Sequence, residues 1–196
     1  MPESSKATIG RGPKVRAAVL AAAVAELAAT GYAALTVESV AARAGVHKTT
    51  VYRRWPDRET LVADALAEHV GSDIPIPDTG TAAGDLRDLA RALTAWLAGP
   101  IGAAVVTTMV ADGARVPGVA ELKRHFFTGR VAAAEVVVRR ALDRGELPAG
   151  TDPEALLKAL IAPIYLRLLV TAEPLDDDAA DKAATAALAA AKAGAV

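Results

Sequence analysis

LTVESVAARAGVHKTTVYRRWPDRETL, residues 35–61, decides the fold. Thr36 precedes a run with helical apolar spacing and can cap it, its hydroxyl accepting an otherwise unpartnered N–H. Glu38 then falls in the positive first turn. This helix reads from about Val37 to Ala44. Gly45 follows because the turn needs a positive φ that glycine adopts cheaply, and Val46 fills the space beneath it. A second short helix reads from about Lys48 to Arg54. Pro56 disfavours a helical Trp55, and Asp57 can cap a further helix carrying Leu61, Val62, Leu66 and Val70. Ala41 is small where the two short helices would cross, Gly45 lies four residues later, and Val51 six further on. A small residue, a glycine and a buried β-branched residue at this spacing form the pattern of a helix-turn-helix. The outward positions His47, Lys48, Thr49, Thr50, Tyr52 and Arg53 are then rich in donors, as a reader of the DNA major groove needs.

Upstream, residues 1–12 read as a basic, flexible arm, with minor-groove or phosphate contact as one role and a plain soluble tail as the other. Pro13 suits a first helical position, and a helix from there to about Thr30 carries Val19, Leu20, Ala23, Val24 and Leu27 as its stripe. Gly31 reads as its stop. Charge follows the same division. Residues 1–60 carry net +4 and the remainder −5, the footprint of a polyanion-binding end on an acidic body. The arm lacks the apolar core of a secretory signal, and no run is expected to be long and charge-free enough to cross a bilayer. Cysteine is absent, which excludes disulfides and thiolate metal sites and agrees with a cytoplasmic location.

Downstream, residues 71–84 hold two prolines and three glycines and read as a hinge. Five more helices are expected over about 85–98, 101–112, 117–144, 153–172 and 179–193. With the four before them they make an all-α chain of about nine helices, without strand alternation. Hydrophobic residues reach 53% but aromatics only 4%, so the core must come from alanine, valine and leucine. The segment LLKALIAPIYLRLLV, 156–170, is apolar around most of its circumference. A homodimer interface would absorb that excess, with Leu160, Ile164 and Leu168 on one stripe and Pro163 kinking the helix. Arg167, the odd charge there, pairs with an acid such as Asp176 or meets a ligand. Trp96, Thr107, Met109, Phe126, Phe127 and Tyr165 are either core or the lining of a pocket for a hydrophobic or aromatic effector. His47, His69 and His125 are isolated, and no carboxylate pair or phosphate-cradling loop accompanies them. Neither enzyme chemistry, a metal nor a cofactor is expected.

The stretch GYAALTVESVAARAGVHKTTVYRRWPDRETL resembles the N-terminal domain of the TetR (tetracycline-repressor) family over about residues 14–62. RGELPAGTDPEALLKALIAPIYLRLLVTAEPL is similar to a subgroup of that family's C-terminal domains, in which the last helices form the dimer interface. The resemblance implies residues 13–62 as the DNA-binding domain, continued through helix four over about 57–71, and 63–196 as the ligand-binding and dimerisation domain. It implies that Thr36 and Tyr52 contact the DNA backbone, that Arg58 holds a phosphate where lysine is usual, and that Lys48, Thr49 and Thr50 face bases or phosphates. Two positions depart. Serine or threonine is usual at the cap where His47 stands, so His47 reads DNA instead of capping. Glycine is common where Thr49 stands. The function implied is a dimeric repressor that binds a palindromic double-stranded DNA operator and is released by a small molecule. The rivals are an effector-independent DNA-binding protein and an all-α enzyme or carrier with a vestigial DNA-binding domain.

Overall fold

The computed structural model describes residues 11–69, 74–111 and 119–196. It is all-helical: nine α-helices and one π turn, with no strand among the described residues. Two compact units divide the chain, residues 1–69 and 70–196.

In the first unit, α1 (Arg11–Ala34), α2 (Val37–Arg43), α3 (Lys48–Tyr52) and α4 (Arg58–His69) surround one small core. Helix α1 includes Arg11 and Gly12, so Pro13 sits third, still within the first turn, rather than at the first position. The cost is small, because first-turn N–H groups have no intrahelical acceptor. The rest of the expected arm, residues 1–10, lies outside the described residues. At Gly31 (φ 74, ψ 166) helical geometry breaks, and a last turn continues to Ala34. Val19, Leu20 and Val24 are fully buried, as is Val51 of α3. By length and composition Gly12–Ala34 is apolar enough to cross a bilayer, at hydropathy 1.6, contrary to the expectation of no such run. Alanines raise that value. The large apolar side chains of α1 are spent on packing against α2 and α4.

Polar links fix the same unit. Glu26, almost buried, accepts from Arg43 at 2.7 Å and ties α1 to α2. Arg16 reaches Glu68 at 2.7 Å and ties α1 to α4. Trp55 is 3% exposed, and its indole N–H donates to Asp64 at 3.0 Å, so this aromatic is core with its one polar atom satisfied. Asp57 caps α4, accepting the Thr60 N–H at 2.7 Å. Those bonds, backbone first and hydroxyl second, hold its carboxyl below the usual range.

The second unit holds α5 (Ala82–Ala98), α6 (Pro100–Ala111), α7 (Val119–Asp143), α8 (Pro153–Leu166), a π turn (Arg167–Thr171) and α9 (Asp177–Lys192). Helix α9 buries an alanine stripe, among them Ala180, Ala184, Ala187 and Ala191, against α5 and α8. With no side chain beyond Cβ, these backbones approach closely. Helices α5 and α6 meet at 86°. Gly102 permits that corner, because a Cβ there would sit 2.1 Å from the Trp96 carbonyl oxygen. Helix α8 stops at Leu166 rather than about 172, and the chain passes through the π turn into Ala172 at φ 52.

The segment 74–81 lies along α7 and α5 like a strap. Arg130 donates to the Ile74 carbonyl at 3.3 Å, and Arg140 to that of Pro77 at 3.1 Å while pairing with Asp78 at 3.3 Å. Buried Asp85 accepts from Thr79 N at 2.6 Å and from Arg144 at 3.4 Å. Glu146 caps α5 by accepting the Ala82 N–H at 2.5 Å. That bond first and Arg144 second hold its carboxyl below the usual range.

Candidate functional site

The first site is built by α2, α3 and their turn. Thr36 closes a reciprocal cap on α2, its hydroxyl oxygen accepting the Ser39 N–H at 3.0 Å while Ser39 Oγ accepts the Thr36 N–H at 3.2 Å. Thr36 is exposed and acts only as an acceptor in these bonds, which leaves its own O–H to donate. Gly45 has φ 65 and makes the turn as expected, with Ala41 at 2% exposure beneath it. Val51 anchors α3, so Lys48, Thr49, Tyr52 and Arg53 stand exposed.

Three residues sit differently from the expectation. His47 does cap α3: its Nδ1 accepts the Thr49 N–H at 3.4 Å and lies 2.9 Å from the Thr49 hydroxyl. An imidazole nitrogen supplies the acceptor that serine or threonine would, and its Nε2 remains for a second partner. Thr50 is half-buried and borders a groove of about 370 Å³ between α1 and α3, together with Arg16, Arg53 and Arg54. Arg58 is half-buried and braced against α1. Its guanidinium carbon stacks 4.4 Å from the Tyr32 ring centre, and its Nη1 donates to the Tyr32 carbonyl at 3.4 Å. Glu59 closes this brace, accepting from Arg58 at 3.4 Å and from the Tyr32 hydroxyl at 3.2 Å.

Tyr52 is 42% exposed, and its hydroxyl donates to Glu38 at 3.3 Å. Local desolvation first, and the Glu38 charge second, raise its pKa, so the phenol stays a donor at neutral pH. Arg54 sits 5.8 Å from the Trp55 ring centre. Sequence reasoning assigned Arg16 no place in this groove. Its spacing along the α1 face behind Val15 and Val19 was the available signal.

The second site lies within the second unit. A cavity of about 50 Å³ is walled by α5, α7, α8 and the strap. Of the expected lining, Phe126, Phe127 and Tyr165 border it. They form edge-on contacts, Phe126 to Phe127 at 5.0 Å and Phe127 to Tyr165 at 5.5 Å. Trp96 stands behind them, 6.2 Å from Phe126, outside the lining. Thr107 and Met109 do not line it. Thr107 is exposed and turns its hydroxyl back to the Ala103 carbonyl, and Met109 is fully buried among helices. Among the described residues of the lining, Arg130 is the one that carries a charge, and it was not foreseen. The signal was there, since Phe126, Arg130 and Ala134 recur at helical spacing on one face. Burial pushes the Tyr165 hydroxyl up to about 12, with the Arg130 charge pulling the other way.

The expected dimer stripe is largely internal. Leu160 and Ile164 have no exposed surface in the single chain, because α8 is enclosed by α5, α7 and α9 of the same chain. Leu168 is half-buried, while Leu166 at 51% and Val170 at 72% are the exposed apolar residues here. Arg167 pairs with Glu173 at 3.2 Å and donates to the Pro174 carbonyl at 3.0 Å, not to Asp176. Asp176 instead caps α9 through the Ala179 N–H at 2.9 Å.

Residues 19–65 match the family of bacterial regulatory proteins, tetR family, and residues 76–187 match the tetracyclin repressor-like C-terminal domain. The HTH-type transcriptional regulator AqdR of Rhodococcus erythropolis is 35% identical over 84% of this chain and 80% of its own length. A DNA-binding transcriptional repressor, TetR, of Mycobacteroides abscessus is 32% identical over 86% of this chain and 89% of its own. The solved TetR family transcription regulator SCO0332 is 32% identical, with a TM-score of 0.68 over 90% of this chain and 97% of its own. Helix-turn-helix geometry and these likenesses agree along both units: the chain belongs to the TetR family of transcriptional regulators, with a helix-turn-helix DNA-binding domain.

Proposed function

We propose that the protein is a cytoplasmic homodimeric repressor that binds a palindromic operator in double-stranded DNA and is released by a small-molecule effector. The observation that carries the reading is the division of α3 into a buried Val51 and an exposed edge of Lys48, Thr49, Tyr52 and Arg53. Thr36 adds a hydroxyl donor at the start of α2, and His47 keeps Nε2 available. Residues 13–62, extended through α4, read DNA, with the arm 1–12 beside them, and residues 63–196 hold effector and partner. One five-residue helix meets few base pairs, so a second copy is needed. The two reading helices must then stand ~34–36 Å apart to enter successive major grooves. Leu168 with Leu166 and Val170 supplies the apolar surface for that pairing, in place of Leu160 and Ile164. The sign of regulation follows the Mycobacteroides abscessus relative, which is named a repressor.

The test is selection of bound fragments from a genomic DNA pool by the full chain, followed by footprinting. One recurrent palindrome with half-sites about one turn apart is the expected result. Binding without sequence preference would overturn the reading.

A further inference from the structure

One exposed contact joins the two short helices of the DNA-reading unit. Tyr52, the last residue of α3, donates its hydroxyl proton to Glu38 in the first turn of α2 at 3.3 Å. Both residues are exposed. Around them the surface is built from donors, with Thr36 two residues before Glu38 and Lys48, Thr49 and Arg53 along α3. From residue 36 to residue 54 Glu38 is the one acid, against Arg43, Lys48, Arg53 and Arg54. A carboxylate in that place opposes attraction to a polyanion. It does not serve the base nearest to it in sequence, because Arg43 is turned to Glu26 at 2.7 Å. What it holds is Tyr52.

A phenol carries one proton to donate. Tyr52 can give it to Glu38 or to a phosphate oxygen, but not to both. Hydroxyl–carboxylate bonds of full strength measure about 2.5–2.7 Å. At 3.3 Å the Glu38 contact is a weaker hold, one that a phosphate oxygen can replace. Local desolvation first, and the Glu38 charge second, raise the Tyr52 pKa, so the proton is present to be exchanged. We propose that Glu38 is a positioning residue for DNA binding: it holds the Tyr52 hydroxyl in the free protein, yields it to a backbone phosphate on the duplex, and through that competition lowers affinity for DNA. The inference rests on the DNA-reading role of α3 given above and adds a residue of α2 that sets its strength. Backbone contacts carry no sequence information directly, so the effect reads out on a duplex of any sequence.

The test is a double-mutant cycle on the full chain. Binding to a labelled duplex of random sequence is followed by fluorescence anisotropy at fixed salt. Glu38→Ala is expected to tighten binding by about two- to tenfold, the worth of one hydrogen bond released. Tyr52→Phe is expected to weaken it. In the Tyr52→Phe background no hydroxyl remains to be released, so the gain from Glu38→Ala should be at least about twofold smaller. A carboxylate that only repels phosphate gives the same gain in both backgrounds, and that result overturns the inference. Weaker or unchanged binding after Glu38→Ala overturns it as well; weaker binding would make Glu38 an acceptor for the DNA itself, such as a cytosine amino group. Should circular dichroism show that Glu38→Ala unfolds α2, Glu38→Gln runs the same cycle without the charge. Failure of the two readings is distinguishable. A native chain that binds no duplex sinks the DNA-reading role of α3 and this inference together, whereas firm binding with equal gains sinks the role of Glu38 alone.

Discussion

His47 offers a sharp separation of folding from reading, because one ring is asked to do both. Replacing it with alanine removes the acceptor that holds the Thr49 N–H. At 3.4 Å this is a long bond, so the loss belongs at the low end of the range for helix caps, about 0.5 kcal/mol. In a domain of this size that lowers the melting midpoint by about 2–4 °C. His47→Ser restores an acceptor at the cap and is expected to recover the midpoint. It does not restore Nε2. If that nitrogen donates to DNA, the serine variant folds like the native chain yet binds its operator about two- to tenfold more weakly, the worth of one hydrogen bond. The melt is best followed in a Trp96→Phe background, where Trp55 is the remaining tryptophan and reports the first unit alone. Operator affinity is read by fluorescence anisotropy at fixed salt. Equal midpoints for the native chain and the alanine variant would refute the cap. A serine variant as unstable as the alanine variant would show that the ring stabilises α3 by packing instead.

Other residues give independent checks. Lys48→Ala should flatten the slope of log K against log salt by about 0.9 if its ammonium meets a phosphate, and leave sequence preference intact; an unchanged slope places Lys48 off the DNA. Gly102→Ala sets helix propensity, worth about 1 kcal/mol in alanine's favour, against a Cβ 2.1 Å from the Trp96 carbonyl oxygen. The contact should win, with a net loss of about 1–3 kcal/mol as for overpacked cores, read from the urea midpoint of the second unit; a gain would show that the α5–α6 corner opens freely. Glu146 has its folded pKa lowered by the Ala82 N–H and Arg144, so its contribution is present above the unfolded value of about 4.3 and lost as pH falls through the folded one. Urea midpoints from neutral pH downward should therefore fall less steeply in Glu146→Gln, and parallel curves would count against the cap.

The helix-turn-helix was legible because its determinants are local. Positive φ at Gly45, a small Ala41 beneath it, a buried Val51 and the Thr36 cap each depend on neighbours within a few residues, and all four are where the spacing put them. His47 was misjudged for a chemical reason. Capping requires an acceptor at the right place, and residue preference is only a proxy for it; an imidazole Nδ1 meets the requirement. Arg58 shows the opposite limit. Its charge was visible, but the Tyr32 ring and carbonyl that engage it lie 26 residues away in sequence. No local pattern carries that contact.

The second unit resisted reading because its apolar residues outnumber the distinctions among them. Helix α8 is apolar nearly all round, and that excess pointed to a partner copy. Its actual cause is enclosure by α5, α7 and α9 within one chain, which leaves Leu160 and Ile164 no outward surface. Alanine conceals this: Ala180 and Ala184 of α9 form a full packing face, yet by side-chain size they resemble filler. The same ambiguity spoiled the cavity assignment, where three of six large or polar candidates line it and three pack or point elsewhere. Arg130 was the more informative residue. A buried apolar wall tolerates many leucines and phenylalanines for packing alone, but a guanidinium between Phe126 and Ala134 incurs desolvation and must be answered by an acceptor. Here the Ile74 carbonyl supplies one, from a segment outside any helix. Arg130 therefore falls in the cavity lining with Phe126 and Phe127, whereas Arg167, the charge that interrupts the apolar run of 156–170, is answered by Glu173 away from it.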